Sequence, residues 1–341
     1  MKNEHLVSER ALGLMGSSIV IDTHSHFLLN GHFFKKDFGK RHNPPWFWNP
    51  LKNTIDLPRL KEGRVSCSTC TVYVPVFPLR LTAWAACNRI LDTLDHIADR
   101  FMGQVQKVDT AGAIRDAFSQ GRLALLPAVE GGHVIGSKAE RVRHLRKRGV
   151  RFFTLTHFVP NRIADAASRP HVHGGISSFG RRVLKECEES GVVVDLAHCS
   201  DQAFVQALDI LEKPPVVTHT ALRQGRSSQR FINEELLRLI VQKGGMVGVI
   251  LWPWYLKRFS MFGGLDVVVD TYARMADLVG AEYLMLGSDL DGFTWAPRDM
   301  KEVSRLPMLA DALFAKGFSD EEVRGILGLN SLRMLERWET G

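Results

Sequence analysis

Short apolar or β-branched runs recur eight times along the chain: "SSIVIDTHSH", "SCSTCTVYVPV", "RLALLPAVEGG", "VRFFTLTHF", "GVVVDLAHCS", "PPVVTHTA", "GGMVGVILW" and "EYLMLGSDLDG". Between most of them the apolar positions return with helical spacing, as in "SSFGRRVLKECEESG", "DQAFVQALDILEK", "INEELLRLIVQKGG" and "LDVVVDTYARMADLVGA", several stopped by a glycine. Strand then helix, eight times over, predicts an α/β fold of the (β/α)8 TIM-barrel type. The strands read as continuous apolar runs, which suits a parallel sheet covered by helices, although a doubly wound open sheet would carry the same runs.

The polar residues separate these two architectures. They fall at the C-terminal ends of the strands: His24 and His26 on the first, Glu130 on the third, His157 on the fourth, His198 on the fifth, His219 on the sixth and Asp289 on the eighth. In a closed barrel those ends meet at one mouth, where barrel enzymes keep their chemistry. Two stretches lie outside the repeat. Residues 30 to 50, rich in aromatic, Lys, Pro and Gly residues, read as a long loop after the first strand, over the mouth. The C-terminal "SDEEVRGILGLNSLRMLERWE" opens with a capping signature and continues as an amphipathic helix. With no linker and no low-complexity segment, residues 1 to 341 read as one barrel domain.

Composition narrows the partners. At 341 residues and 45% hydrophobic, the chain can bury a large core. A formal charge of +7 makes the surface basic. In the densest patch, "RVRHLRKRGVR", Val142, Leu145 and Val150 interleave with the charges, so it reads as an amphipathic helix with a solvated face; no nucleic-acid motif accompanies it. Five cysteines form no even-numbered disulfide framework, and "CSTC" (Cys67 to Cys70) is a lone CxxC whose cysteines, three apart on a strand, face opposite sides. No apolar run approaches the roughly 20 residues of a membrane helix. A soluble, cytoplasmic protein without membrane or nucleic-acid partners is expected.

Several imidazoles and two carboxylates at one mouth suit a borderline divalent ion such as zinc. His24 and His26, two apart on a strand, share a face and can grip one ion. Asp22, one step deeper, either orients an imidazole or bonds to backbone.

The motifs "DTHSH", "EGGH", "FTLTHFVPNRIADA", "GISSFGRRVLKECEESGVVVDLAHCS", "PPVVTHTALR" and "GSDLDG" resemble, in order, those of the membrane dipeptidase (renal dipeptidase) family of zinc peptidases, over about residues 20 to 338. The resemblance implies a binuclear zinc site in the amidohydrolase-like superfamily. Glu130 would bridge two Zn2+ ions, His24 and residue 26 would hold one, and His198 and His219 the other. Asp289 would be the acid/base that holds the bridging hydroxide and hands its proton to the leaving amine. His157 would face the scissile carbonyl or its oxyanion, and Arg230 would grip the free carboxylate of a dipeptide substrate.

The family usually has aspartate where this chain has His26. A neutral nitrogen for an anionic oxygen leaves the centre one unit more positive, which favours zinc or cobalt over manganese. In the 30 to 50 segment, Phe33, Phe34, Trp46, Phe47 and Trp48 can form a lid or substrate wall, pack the loop down, or bury a homodimer contact, and Lys35, Lys36, Lys40 and Arg41 would favour acidic substrates. The expected activity is hydrolysis of a dipeptide amide, with a D-residue at the C-terminal side among the substrates the resemblance suggests. Hydrolysis of another amide, such as an N-acyl amino acid or a lactam, is the alternative, and a non-catalytic metal-binding barrel is a third reading that the presence of Glu130 and Asp289 weakens.

Overall fold

The fold is described from a computed structural model over residues 7–42, 53–79, 82–168, 170–223, 228–257, 263–292 and 295–339. One sheet of nine strands runs through it: β1 (Ile21–Ser25), β2 (Cys67–Tyr73), β3 (Val105–Lys107), β4 (Leu123–Glu130), β5 (Phe152–Thr154), β6 (Val193–Asp195), β7 (Val216–Thr220), β8 (Met246–Val249) and β9 (Leu284–Leu286). The order is β1-β2-β4-β5-β6-β7-β8-β9, every pairing parallel, and β3 pairs with the start of β4. All eight expected strands are present. The extra one, β3, is only "VQK", too short and too polar to stand out as a run.

A parallel bridge between Ser25 and Leu290 closes the barrel. The His26 N–H donates to Leu290 O at 3.0 Å, and the Asp289 N–H to His24 O at 2.9 Å. The seam is therefore stitched by residues of the expected site.

The helix Ser178–Ser190 shows why the outer layer forms. Ser177 caps it by accepting the Gly180 N–H, and Gly191 ends it at φ 69°, a left-handed conformation that glycine adopts without a Cβ clash. Gly180, Val183, Leu184 and Cys187 return at helical spacing and are buried. They pack toward β6 between the helices Arg141–Lys147 and Asp201–Ile210.

The basic patch is this neighbouring helix, with Val142 and Leu145 buried as expected. Three basic side chains of the patch pair with carboxylates: Arg143 with Glu186 (2.9 Å), Arg146 with Asp109 (2.6 Å) and, just beyond the helix end, Arg148 with Asp92 and Asp95 (2.8 Å each). All five cysteines are free and buried. Burial pushes the thiols of Cys67 and Cys70 well up, so both stay protonated. Among the described residues, no helix is long and apolar enough to cross a membrane.

The segment after the first strand differs from a plain loop. Phe27–Phe34 is helical and is held to the helix Ala83–Arg100 by a 2.8 Å contact of His32 Nδ1 with Thr93 Oγ1. Phe33 and Phe34 lie on it, exposed by 43% and 51%. Trp46, Phe47 and Trp48 fall outside the described residues. Lys40 lies 4.0 Å from Asp37, and Arg41 pairs with Glu62 and Glu302. At the C-terminus the capping box is formed by Ser319 and Glu322, and the helical path continues to Glu339 through one wider turn, Gly325–Leu329.

Leu184→Ala should cost about 2–5 kcal/mol of stability by opening a cavity under that helix, while Glu189→Ala on its exposed face should cost less than about 0.5 kcal/mol. Urea unfolding of both variants checks this; equal losses would contradict the packing described.

Candidate metal centre

Two irregularities in the sheet aim the histidines. Between Asp22 and Ser25 strand β1 advances three residues while β2 advances two, from Ser68 to Cys70. Between Val217 and Thr220 strand β7 does the same against β8, from Val247 to Val249. Each strand thus carries one extra residue within the pair Thr23–His24 or Thr218–His219, and such a bulge re-aims side chains that a regular strand would alternate. His198 (φ 65°) and Asp289 (φ 55°) adopt left-handed backbone just after β6 and β9. That conformation costs a non-glycine residue about 1–3 kcal/mol, which the surrounding hydrogen bonds must hold in place.

The predicted residues converge on Glu130, at the end of β4, which is 1% exposed. Its Oε1 lies 3.1 Å from His198 Nε2, 3.5 Å from His24 Nε2 and 3.6 Å from His219 Nε2. Its Oε2 lies 3.5 Å from His26 Nε2 and 3.7 Å from His157 Nε2. Asp289 Oδ1 completes the ring at 3.3 Å from His26 Nε2 and 4.0 Å from His24 Nε2. Pairs of imidazoles face each other through Nε2, His24 and His26 at 3.0 Å and His198 and His219 at 3.1 Å.

Burial would raise the Glu130 carboxyl, but the surrounding imidazoles hold it well below the usual carboxylate range. Burial pushes His157 down to about 3 and His198 down to about 4, and it puts His219 well below its ordinary value. These three rings are neutral near pH 7. Burial acts the same way on His24, but Glu130, Asp289 and Asp195 overcome it and raise that ring.

Neutral imidazole nitrogens and carboxylate oxygens at one point are the donor set of a divalent transition ion. Spacing agrees with chemistry: zinc bonds of about 2.0–2.1 Å put tetrahedral donors about 3.4 Å apart, and the contacts to Glu130 run from 3.1 to 3.7 Å. Three overlapping trios have ligand atoms within 4.8 Å of one another: His24, Glu130 and His219; His24, His26 and Asp289; Glu130, His157 and His198. The residues fit a metal, and Glu130 belongs to two of the trios.

Asp22 takes the backbone-bonding reading. It accepts the Ser288 N–H at 2.9 Å, the Ser288 hydroxyl and the His24 N–H at 3.3 Å, but no ring nitrogen. The β1 bulge explains this, because Asp22 and His24 no longer stand two regular steps apart. Arg230 donates from Nη1 to His219 O at 3.2 Å, and no carboxylate of the described residues pairs with it. It borders the cleft together with Tyr73, Phe158, Trp252, Tyr255 and Gly292. These five escaped the sequence reading. "LWPWY" after β8 was the available signal for Trp252 and Tyr255, but aromatic residues near a strand end fit a core equally well. Phe33 and Phe34 are not among the residues that border this cleft.

Residues 8–341 match the family described as membrane dipeptidase (peptidase family M19). The chain is 28% identical over 298 residues to dipeptidase tcpJ of Claviceps purpurea (strain 20.1), covering 85% of this chain and 70% of that one. Against dipeptidase 3 of Mus musculus the identity is 26% over 336 residues, 97% of this chain and 66% of the relative. In fold it is similar to a metallo peptidase from Rhodobacter sphaeroides, solved with a phosphinate mimic of the dipeptide L-Ala-D-Ala: TM-score 0.85, 23% identity, 94% of this chain and 99% of that one. The probable dipeptidase PvdM from Pseudomonas aeruginosa gives a TM-score of 0.87 at 18% identity, over 97% and 98% of the two chains.

Zinc added to metal-free protein should raise Tm, by the equivalent of about 2.7 kcal/mol at a free concentration one hundred times Kd. Glu130→Ala should abolish the rise in differential scanning calorimetry, and a rise of full size in that variant would contradict the centre described.

Proposed function

This chain belongs to the membrane dipeptidase family, and we propose that it hydrolyses the amide bond of dipeptides at a centre of two zinc ions that would share Glu130. The observation that carries this reading is the approach of five imidazole nitrogens to the two oxygens of one buried carboxylate. His24 and His26 would hold one ion and His198 and His219 the other, with Asp289 beside the first. Bound there, divalent ions lower the pKa of a water and polarise the scissile carbonyl.

The protein's own groups do the rest. Asp289, at the cleft, takes the proton of the attacking water and returns it to the leaving amine. His157, held neutral by burial, has an N–H to give to the carbonyl oxygen as negative charge develops there. Arg230, paired with no carboxylate among the described residues, offers a planar fork to the free carboxylate of the substrate. Arg230 and Asp289 border the same cleft, as a substrate gripped by its carboxylate and cleaved one peptide bond away requires, and Tyr73, Phe158, Trp252 and Tyr255 line it with them. The five free, buried cysteines support a reducing, cytoplasmic setting as part of the same proposal.

Zinc-loaded protein offered a panel of L-Xaa-L-Xaa and L-Xaa-D-Xaa dipeptides should cleave members of the panel, and Asp289→Asn should lower kcat by at least about 100-fold. Cleavage of N-acyl amino acids or lactams with every dipeptide untouched would overturn the reading. His26→Asp introduces an anionic ligand and should move metal preference toward manganese, read as the ratio of zinc to manganese affinities; an unchanged ratio would show that the residue at position 26 does not touch the ion.

A further inference from the structure

Behind the histidines a single hydroxyl serves two of them. Thr218 Oγ1 lies 3.1 Å from His24 Nδ1 and 3.0 Å from His219 Nδ1. The same hydroxyl lies 2.7 Å from Asp195 Oδ2. Asp195, fully buried, also receives the Thr154 hydroxyl at 2.6 Å, the Thr218 N–H at 2.9 Å and the Ala197 N–H at 3.0 Å. A carboxylate surrounded by four donors accepts from all of them, so the Thr218 proton points at Asp195. The hydroxyl oxygen then has only lone pairs left for the two rings. Each ring must present Nδ1–H to it, which leaves Nε2 of both unprotonated and facing Glu130 Oε1, at 3.5 Å for His24 and 3.6 Å for His219. The rings stack with centroids 3.7 Å apart and planes 30° apart, as two plates hinged on one oxygen.

The surroundings fix the backbone that carries this hydroxyl. A Cβ on Gly248 or on Gly287 would stand 1.9 Å from Thr218 O, so two glycines let neighbouring strands close tightly around this residue. Thr23 Oγ1 reaches the same carbonyl at 3.0 Å. The β7 bulge turns Thr218 and His219, adjacent in sequence, toward a common point.

We propose that Thr218 is a positioning residue, oriented by Asp195, that sets the tautomer and the aim of His24 and His219 together and so couples the two halves of the metal centre. This rests on the metal reading above and deepens it: one side chain acts on ligands that the proposed assignment gives to different ions. Removing the hydroxyl should therefore weaken both ions, not one. Partners behind metal-ligating histidines are worth about 10–100-fold in affinity, so a loss of this size is expected at both sites.

The test uses full-length protein. In metal-free wild type, at a pH high enough to keep both rings neutral, long-range 15N–1H correlations of the histidine rings should show His24 and His219 as Nδ1–H tautomers; a neutral Nε2–H tautomer at either ring overturns the proposal, whatever any variant does. Chelator-competed zinc titration should then show both ions weakened about 10–100-fold in Thr218→Val, with affinity restored in Thr218→Ser, which keeps the hydroxyl. A Thr218→Val protein that binds both ions like wild type, or loses one alone, contradicts the coupling, and so does failure of Thr218→Ser to recover. Wild type that binds no zinc would instead sink the metal reading, so the two failures are distinguishable. If Thr218→Val does not fold, the wild-type tautomers and the comparison of Thr218→Ser with wild type decide.

Discussion

A carboxylate buried among imidazoles is the constraint on which the rest of this structure depends. Withdrawing Glu130 from water costs several kcal/mol unless its oxygens find compensation. The compensation here comes from five rings on strands β1, β5, β6 and β7 or the turns that follow them. No helix and no single loop could bring so many nitrogens to one point. A parallel barrel does so because it collects the C-terminal ends of all its strands at one rim.

The barrel alone would not place the donors well enough. Regular strands alternate their side chains, and the site departs from that rule where it needs to, with one extra residue within Thr23–His24, one within Thr218–His219, and left-handed backbone at His198 and Asp289. These departures are stabilised by ordinary means. Asp22 ties Ser288 to the end of β1, and the seam hydrogen bonds fix Asp289 against His24. Local strain is thus concentrated at the chemistry and held by a rigid frame.

Much of this is legible in the sequence because the fold and the site leave different signals. Eight apolar runs separated by helical periodicity indicate the barrel, and polar residues at the run ends indicate the mouth. All of His24, His26, Glu130, His157, His198, His219 and Asp289 meet there. What escapes is whatever depends on register. Asp22 can be placed on the face of His24 only if β1 is regular, and one inserted residue breaks that inference. Thr218 and Asp195 carry no spacing signal, since a threonine and an aspartate in apolar strands resemble any other strand residues until the bulge brings them behind two histidines. The cleft aromatics fail for a related reason: nothing in "LWPWY" distinguishes a wall from a core.

The most direct test of the account is anomalous diffraction at the zinc edge from crystals of the zinc-loaded protein. Two peaks about 3.5–4 Å apart, one on each side of the Glu130 carboxylate, are predicted, with the Nε2 atoms of His24 and His26 at one and those of His198 and His219 at the other. A single peak, or two peaks that do not share Glu130, would contradict a centre built around one buried carboxylate.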